Sequence, residues 1–161
     1  MIITIRRIST ILCLLSIVGC SQDEAAESEF IDNAGAIERL DPRLDALVPV
    51  DANIQKLASG FTFTEGPVWD KRTDVLYFSD VRDNTIYSWS EDEGVNVFIQ
   101  PVFAEETDHP SVGSNGLTLD SEGRLILMEH GYRRVSRLEG NGERTTLIDN
   151  YRGNRLNSPN D

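Results

Sequence analysis

The chain has 161 residues, a formal net charge of −12 and 39% hydrophobic residues. Its length predicts about one domain, and its composition is that of a globular protein. The acidic balance argues against nucleic acid as a partner, because contacts to phosphates need clustered lysine and arginine side chains.

The first twenty residues predict an export signal rather than part of the folded domain. Arg6 and Arg7 precede an apolar run at 8–19, which is shorter than the ~20 residues that a membrane-spanning helix needs. The run ends in Ile-Val-Gly-Cys, which resembles a bacterial lipobox that is cleaved before Cys20 and lipidated on that cysteine. The alternative is an ordinary signal peptide with an incidental cysteine.

A polar, acidic stretch follows Cys20 and predicts a flexible tether. We therefore expect a lipoprotein signal peptide at 1–19, a tether at 20–37 and a domain at 38–161. This arrangement predicts an exported protein that faces the periplasm and meets the membrane only through its lipid anchor. Ser21 after the cysteine resembles an outer-membrane sorting signal. No cysteine would remain for a disulfide, so packing has to stabilise the domain.

Residues 30–50 contain short helical patterns interrupted by two prolines, and they predict one or two short helices. Leu40, Leu44 and Leu47 are expected to pin this segment to the domain surface. From residue 54 onward, short β-branched and aromatic runs alternate with turn-forming clusters, and their close spacing predicts an antiparallel meander. The predicted strands include 54–58, 75–78, 85–89, 95–99, 117–119, 125–127, 135–138 and 145–148.

The second half of this strand-rich region repeats the first half at an offset of 49 to 50 residues, so that Asp70 aligns with Asp120. Each copy also contains an inner strand that begins near Glu65 or Asn115, which makes four strands in each copy. A four-stranded repeat of ~40–50 residues is typical of a β-propeller blade. The alternative is a plain meander with a chance similarity between its halves.

The last seven residues, RLNSPND at 155–161, occupy the position at which a third copy would start. We therefore expect an all-β fold with two blades and the beginning of a third. A closed propeller needs about four to eight blades, so we expect the chain to be an incomplete piece of one. Trp69 and Trp89 are interpreted as blade packing, and Arg133 and Arg134 as a solvated turn pair.

Strand direction alternates within a blade, so the starts of first strands and the ends of second strands open on one face. This face is predicted to gather carboxylates, amides and both histidines. Its residues are Glu65, Asn115 and Asn160 nearest the axis, Asp80, Glu129 and His130 at the ends of second strands, and His109 in the loop 101–114.

Glu65, Asn115 and Asn160 present side-chain oxygens at equivalent positions, which suits part of a cage for a hard cation. Calcium takes ~6–8 oxygen ligands, amide carbonyls among them. The alternative is that these side chains cap turns or bond to the backbone, which asparagine does readily. A zinc site is disfavoured by two scattered histidines, and the sequence has neither a Gly-x-Ser-x-Gly elbow nor a P-loop.

Three stretches resemble the gluconolactonase / senescence-marker-protein / regucalcin family, and its exported bacterial members in particular. They are FTEGPVWD, SNGLTLDSEGRLILMEHGYRRV and RLNSPND, and the resemblance covers roughly residues 38–161. It implies a six-bladed β-propeller that holds a divalent metal, often calcium, at its axis and hydrolyses sugar lactones or related esters.

The same resemblance implies that Glu65 is a metal ligand and that Asn160 lines the metal and substrate site. Asn115 matches a pocket-lining position, and Asp161 lies beside Asn160 in the pocket. His130 is a candidate for substrate contact or proton transfer, with a rim histidine bonded to backbone as the alternative. The family's later metal ligands and its general base fall beyond residue 161, so the catalytic base is left unassigned.

These features predict a metal-dependent hydrolase of sugar lactones with a small-molecule substrate. A cation would polarise the lactone carbonyl and lower the pKa of a water molecule, while Glu65 would serve as a ligand and not as the base. We expect the fragment by itself to be inactive. The rivals are a non-catalytic propeller that binds a sugar, peptide or protein on the same face, and a purely structural lipoprotein.

Overall fold

The computed structural model describes residues 34–106 and 108–161. The predicted signal peptide, the lipidation site at Cys20 and most of the tether lie outside these residues, so export and anchoring stay predictions. Within the described part of the chain, no helix has the length and apolar character needed to cross a membrane.

The described residues form one short 3-10 helix and ten strands, in an almost purely β arrangement. The 3-10 helix begins after Asp41, whose side chain accepts a hydrogen bond from the Arg43 backbone N–H, as expected of an N-cap. The 3-10 helix spans Pro42–Ala46, and the strands are β1 Thr64–Asp70, β2 Val75–Asp80, β3 Thr85–Ser90, β4 Gly94–Ile99, β5 Ser114–Leu119, β6 Leu125–Glu129, β7 Arg134–Leu138, β8 Arg144–Ile148, β9 Asn150–Tyr151 and β10 Asn154–Arg155.

The strands build two four-stranded antiparallel sheets, with the orders β1-β2-β3-β4 and β5-β6-β7-β8. Each sheet is a meander of neighbouring strands, which is the construction of a propeller blade. The predicted all-β propeller fold and its two blades are therefore confirmed. A small hairpin of β9 and β10 follows the second blade, because Arg152 and Gly153 adopt the positive φ values that close a tight turn.

The repeat extends to irregular backbone positions. Asn84 and Arg133, which lie 49 residues apart, both have φ near +57° in the turn between the second and third strands. Each inner strand also shifts register against its neighbour at the same place, between Glu65 and Val68 in one blade and between Ser114 and Leu117 in the other. Chance similarity would not reproduce both features, so the two blades are copies of one unit.

The hydrophobic core lies between the two blades. Ile86 from β3 packs with Leu117 and Leu127 from the second blade, and all three are buried. Full burial of an aliphatic side chain contributes about 1.5–3 kcal/mol. Ile99 packs against this core, whereas Ile148, its equivalent in the second blade, is 45% exposed. The same residue type is therefore covered only where a neighbouring blade lies next to it.

Three expectations about the lead-in and the blades were wrong. Leu40 and Leu47 are more than 80% exposed and do not pin the lead-in to the domain. The predicted strand 54–58 is reduced to a single bridge position at Lys56, because a strand needs a continuous hydrogen-bonded neighbour. Trp69 is 43% exposed, so it is only partly packed.

Asp70 and Arg72 tie the two blades together at the end of β1. Arg72 pairs with the buried Asp70 carboxylate at 2.7 Å and also donates to the backbone oxygens of Glu122 and Gly123 in the second blade. The hydrogen bonds from Arg72 lower the pKa of Asp70 to about 2. At the equivalent position, backbone and side-chain hydrogen bonds from Arg124 lower the pKa of Asp120 to about 2.

These shifts predict a loss of stability in acid. A carboxylate whose pKa falls from 3.8 to about 2 on folding stabilises the protein above about pH 4, and this contribution disappears as the pH drops toward 2. We expect Asp70→Asn to lower the urea midpoint at neutral pH and to flatten the decline between about pH 4 and pH 2. Urea unfolding across this range measures both, and a variant with the wild-type acid profile would contradict the role of Asp70.

Candidate active site

The site is built at the starts of the two inner strands, where each strand bulges. Glu65 pairs with Ser79 of β2, and the bulge then takes in Gly66 and Pro67. In the second blade, Ser114 pairs with Glu129 and the bulge takes in Asn115 and Gly116. Because a bulge leaves a residue unpaired and re-aims its side chain, Asn115 is suited to present its amide at the end of the sheet, and Glu65 directly precedes the corresponding bulge in β1.

Glycine backbones bring the inner strands close to each other at these bulges. A Cβ on Gly66 would overlap the Asn115 carbonyl oxygen and lie 2.6 Å from the Leu117 nitrogen. A Cβ on Gly116 would overlap the Asp161 carboxylate and lie 3.0 Å from its backbone nitrogen. The three repeat-equivalent segments are therefore neighbours, as predicted, with the second between the first and the third.

We expect Gly66→Ala to destabilise the protein by at least about 2 kcal/mol more than Gly94→Ala. Both glycines have positive φ, +53° and +67°, and both substitutions therefore cost roughly 1–2 kcal/mol of backbone strain. A Cβ at Gly94 meets nothing within 4 Å, whereas one at Gly66 separates the blades. Urea unfolding compares the two variants, and equal losses would show that strain alone explains the requirement for glycine.

Asn115 provides a buried acceptor atom at the centre of this arrangement. The residue is 6% exposed, and its Oδ1 atom is buried without a hydrogen-bond partner. The preceding residue, Ser114, shares a hydrogen bond of 2.8 Å with Ser79 in the neighbouring blade, and Ser79 is the residue that pairs with Glu65. An unsatisfied buried oxygen costs about 1–3 kcal/mol, so a partner at this atom would offset that cost.

His130 is fixed at the edge of the same site. Its backbone N–H donates to Gly113 at 3.0 Å, which places it beside the start of β5. Its ring is hydrogen-bonded to the backbone carbonyl of Pro159, and its Nε2 atom is buried without a partner. Burial lowers the pKa of His130, an effect that the nearby His109 reinforces and the Glu65 carboxylate opposes. Burial therefore favours the neutral form of the ring.

Both histidines line one cleft of about 260 Å³ on this face, as the topology predicted. His109 comes from the loop before β5 and its Nδ1 accepts a hydrogen bond of 3.2 Å from the Ser111 backbone N–H. The segment after β10 closes the cleft on its far side. The residues that line it are Phe103, His109, Ser111, Val112, His130, Gly131, Arg133, Asn157 and Ser158.

The oxygen atoms at this site fit a hard cation better than a transition metal. No group of three His, Cys, Asp or Glu side chains among residues 34–106 and 108–161 is arranged to hold a metal. Glu65 and Asn115 instead lie at the starts of two neighbouring strands, whose backbones are in contact at Gly66. The Oδ1 atom of Asn115 has no hydrogen-bond partner. Asn160 and Asp161 are exposed at the third start. Carboxylate and amide oxygens are ligands that calcium accepts.

Two carboxylates predicted on the open rim are instead buried in the blades. Asp80 is 1% exposed and accepts hydrogen bonds from the backbone N–H groups of Thr62 and Phe63. Glu129 is fully buried between the Arg134 and Arg144 side chains, the second at 2.6 Å. Both stabilise the fold and neither faces the site.

The expectation that Arg133 and Arg134 form a solvated turn pair was wrong. Arg134 pairs with the buried Glu129 carboxylate, and Arg133 donates to the Leu156 carbonyl oxygen at 2.6 Å. The sequence analysis also missed the Ser79–Ser114 hydroxyl pair beneath the site. Its one sequence signal is the position of Ser114 directly before Asn115.

Comparison with known proteins adds a family match to this geometry. Residues 63–161 match the model of the SMP-30/gluconolactonase/LRE-like region. A gluconolactonase from Zymomonas mobilis is 36% identical over 134 residues, which covers 79% of this chain and 37% of the relative. The predicted resemblance to this family is confirmed.

Two solved structures share the fold. A gluconolactonase from Xanthomonas campestris that is described as important in glucose secondary metabolic pathways matches with a TM-score of 0.68 and 29% identity, over 86% of this chain and 43% of its own. A proposed gluconolactonase solved by X-ray crystallography matches with a TM-score of 0.61 and 39% identity, over 74% of this chain and 39% of its own. The chain thus spans about two fifths of the length of these relatives.

Proposed function

Because the chain belongs to the SMP-30/gluconolactonase/LRE-like family, we propose that it is the N-terminal part of a metal-dependent hydrolase of sugar lactones. One observation supports this most directly: Gly66, the residue after Glu65, packs against the backbone of Asn115, and the buried Oδ1 of Asn115 lacks a partner. A carboxylate and an amide carbonyl are two of the oxygen ligands that a calcium site uses. A small cyclic ester fits a site of this size better than a polymer does.

We propose that Glu65, Asn115 and Asn160 hold a divalent cation, with calcium as the expected ion. Glu65 supplies negative charge from β1, and Asn115 supplies a neutral carbonyl oxygen from the bulge of β5. When bound, a cation of this kind polarises a lactone carbonyl and lowers the pKa of a nearby water molecule. The rigid strands and the glycine contact between them hold the two side chains in place.

The remaining residues of this face position and shield the substrate. Glu65 serves as a ligand and not as the general base, because a carboxylate bound to a cation is a poor proton acceptor. Burial lowers the pKa of His130, whose ring is held by the Pro159 carbonyl, and this favours a ring that offers a hydrogen-bond acceptor without charge. Asp161 lies against Gly116 and limits the pocket on the side of the third strand start. The general base is expected on a segment beyond residue 161.

Removal of the metal tests this function. In the complete protein that contains this segment, we expect EDTA to abolish hydrolysis of glucono-δ-lactone above the spontaneous rate, and we expect added Ca²⁺ to restore it. The 161-residue segment alone is expected to show no such activity. Unchanged hydrolysis after removal of all metal would contradict the proposal, and sugar binding without turnover would favour a binding module.

A further inference from the structure

The buried hydroxyl pair of Ser79 and Ser114 has no role in the mechanism above. Both residues are fully buried, and their hydroxyl oxygens share one hydrogen bond of 2.8 Å between the first and second blades. Ser79 of β2 is the ladder partner of Glu65, and Ser114 directly precedes Asn115. The bond therefore joins the two inner-strand starts that carry the first two proposed ligands.

Packing of one blade on the next does not by itself require these hydroxyl groups. The repeat places Met128 at the position of Ser79 and Pro159 at that of Ser114, where the second blade meets the third strand start. Neither of these two side chains carries a hydroxyl group. A buried hydroxyl group costs free energy unless it is hydrogen-bonded, whereas two apolar side chains can fill the same space. Two bonded serines therefore indicate that a fixed separation is favoured between the first two strand starts.

A backbone link joins the same strand starts a few residues away. The Val81 N–H donates to the Phe63 carbonyl oxygen at 3.0 Å, and the Val81 carbonyl oxygen accepts from the Gly113 N–H at 3.1 Å. Val81 is fully buried, so one residue ties the entry of β1 to the entry of β5. Because this link does not involve side chains, the blades stay joined when the hydroxyl pair is removed.

The separation of the strand starts matters for the size of the ion that they can hold. Calcium binds oxygen ligands at about 2.3–2.6 Å in flexible geometries, whereas magnesium requires about 2.0–2.1 Å in a nearly octahedral shell. A site whose ligands come from different blades can contract around the smaller ion only when the strand starts approach each other. A buried hydrogen bond adjacent to both ligand positions opposes that approach.

We propose that Ser79 and Ser114 are positioning residues, which fix the separation of the strand starts of Glu65 and Asn115 and thereby make the cation site prefer Ca²⁺ over Mg²⁺. The inference rests on the cation site of the proposed function, and it supplies a basis for the metal preference. Neither serine is a ligand. Ser79 acts through its ladder partner, and Ser114 acts through the residue that follows it in the chain.

Calorimetric titration of the metal-stripped complete protein with Ca²⁺ and, separately, with Mg²⁺ tests this role. We expect Ser79→Ala to lower the ratio of Ca²⁺ affinity to Mg²⁺ affinity by roughly 10-fold, at the lower end of the losses that follow changes to residues supporting metal ligands. Ser136→Ala is the matched control, because Ser136 is also fully buried and its hydroxyl oxygen has no hydrogen-bond partner. We expect this control to keep the wild-type ratio.

The double variant separates positioning from stability. Ser79→Ala alone leaves the buried Ser114 hydroxyl without its partner, so we expect a lower urea midpoint for the metal-free protein. Ser79→Ala combined with Ser114→Ala removes both polar groups, so the midpoint should return toward the wild-type value while the affinity ratio stays low. Recovery of the ratio together with the midpoint would show that the pair serves stability alone, and the inference would be overturned.

These titrations also distinguish failure of this inference from failure of the proposed function. A wild-type affinity ratio in folded Ser79→Ala and in the double variant would refute the positioning role, while lactone hydrolysis that EDTA abolishes would still support the hydrolase. Absence of divalent-metal binding by the wild-type protein would refute both. A lowered ratio in the variants of a protein that binds Ca²⁺ but hydrolyses no lactone would support the positioning role and refute the hydrolase.

Discussion

Glu65→Gln in the complete protein is expected to lower the affinity for divalent metal by at least about 100-fold and to reduce lactone hydrolysis accordingly. The reason is that Glu65 is the one carboxylate at the start of β1, and the next residue, Gly66, packs against the backbone of Asn115, whose side-chain oxygen is unsatisfied. Changes to residues that merely support metal ligands already cost roughly 10- to 100-fold in affinity. Calorimetric titration of metal-stripped protein with Ca²⁺ measures the affinity, and the lactonase assay measures the rate.

The matched control is Glu91→Gln, which removes the same charge from an exposed turn between β3 and β4. We expect this variant to keep wild-type affinity and rate. Excess Ca²⁺ should partly rescue Glu65→Gln, because a weakened site can still be filled by mass action. Full metal affinity and full rate in Glu65→Gln would show that Glu65 is not a ligand.

Glu129→Ala is expected to reduce the free energy of unfolding by about 3–5 kcal/mol. Glu129 is fully buried and accepts from Arg134 and Arg144, which are themselves about one fifth exposed. Its removal leaves two largely buried guanidinium groups without their carboxylate, and this loss exceeds that of any surface pair. Arg144 also donates to the Val102 carbonyl oxygen of the first blade at 2.6 Å, so the interface between the blades should loosen as well.

Urea unfolding measures this loss, with Glu122→Ala as the control. Glu122 is exposed and pairs with Arg124 at 3.2 Å, and an exposed pair of this kind contributes about 0–1 kcal/mol. If Glu129→Ala lost no more than the control, the two arginines would have to be satisfied by water, and the buried cluster would not stabilise the fold.

The strands could be predicted because each combines alternating β-branched or aromatic residues with turn formers, and the blades could be predicted because the pattern occurs twice. The ion-pair cluster around Glu129 could not. Arg134 and Arg144 lie five and fifteen residues from Glu129 and converge only when β6, β7 and β8 are side by side. In the sequence, Arg133-Arg134 has the appearance of an exposed turn, because local charge does not reveal burial.

The proximity of the three strand starts followed from the repeat, which aligns Glu65, Asn115 and Asn160, since equivalent residues of adjacent blades occupy equivalent places. The burial of the Asn115 oxygen did not, because it depends on how closely the glycine backbones approach. Leu40 and Leu47 were predicted to pack on the domain and are exposed instead. Helical spacing of leucines indicates which face they share, but it does not establish that a surface exists to receive them.

At each of the two bulges, ligand contact and close packing of the backbone are assigned to two adjacent residues. In each inner strand one residue carries a polar side chain, Glu65 or Asn115, and the next is a glycine that lets the neighbouring blade approach. Evolution can therefore exchange the first residue to alter ligand preference while the second preserves the spacing of the ring. This separation offers a reason why one scaffold can acquire new specificities through single substitutions, without a compensating change in its core.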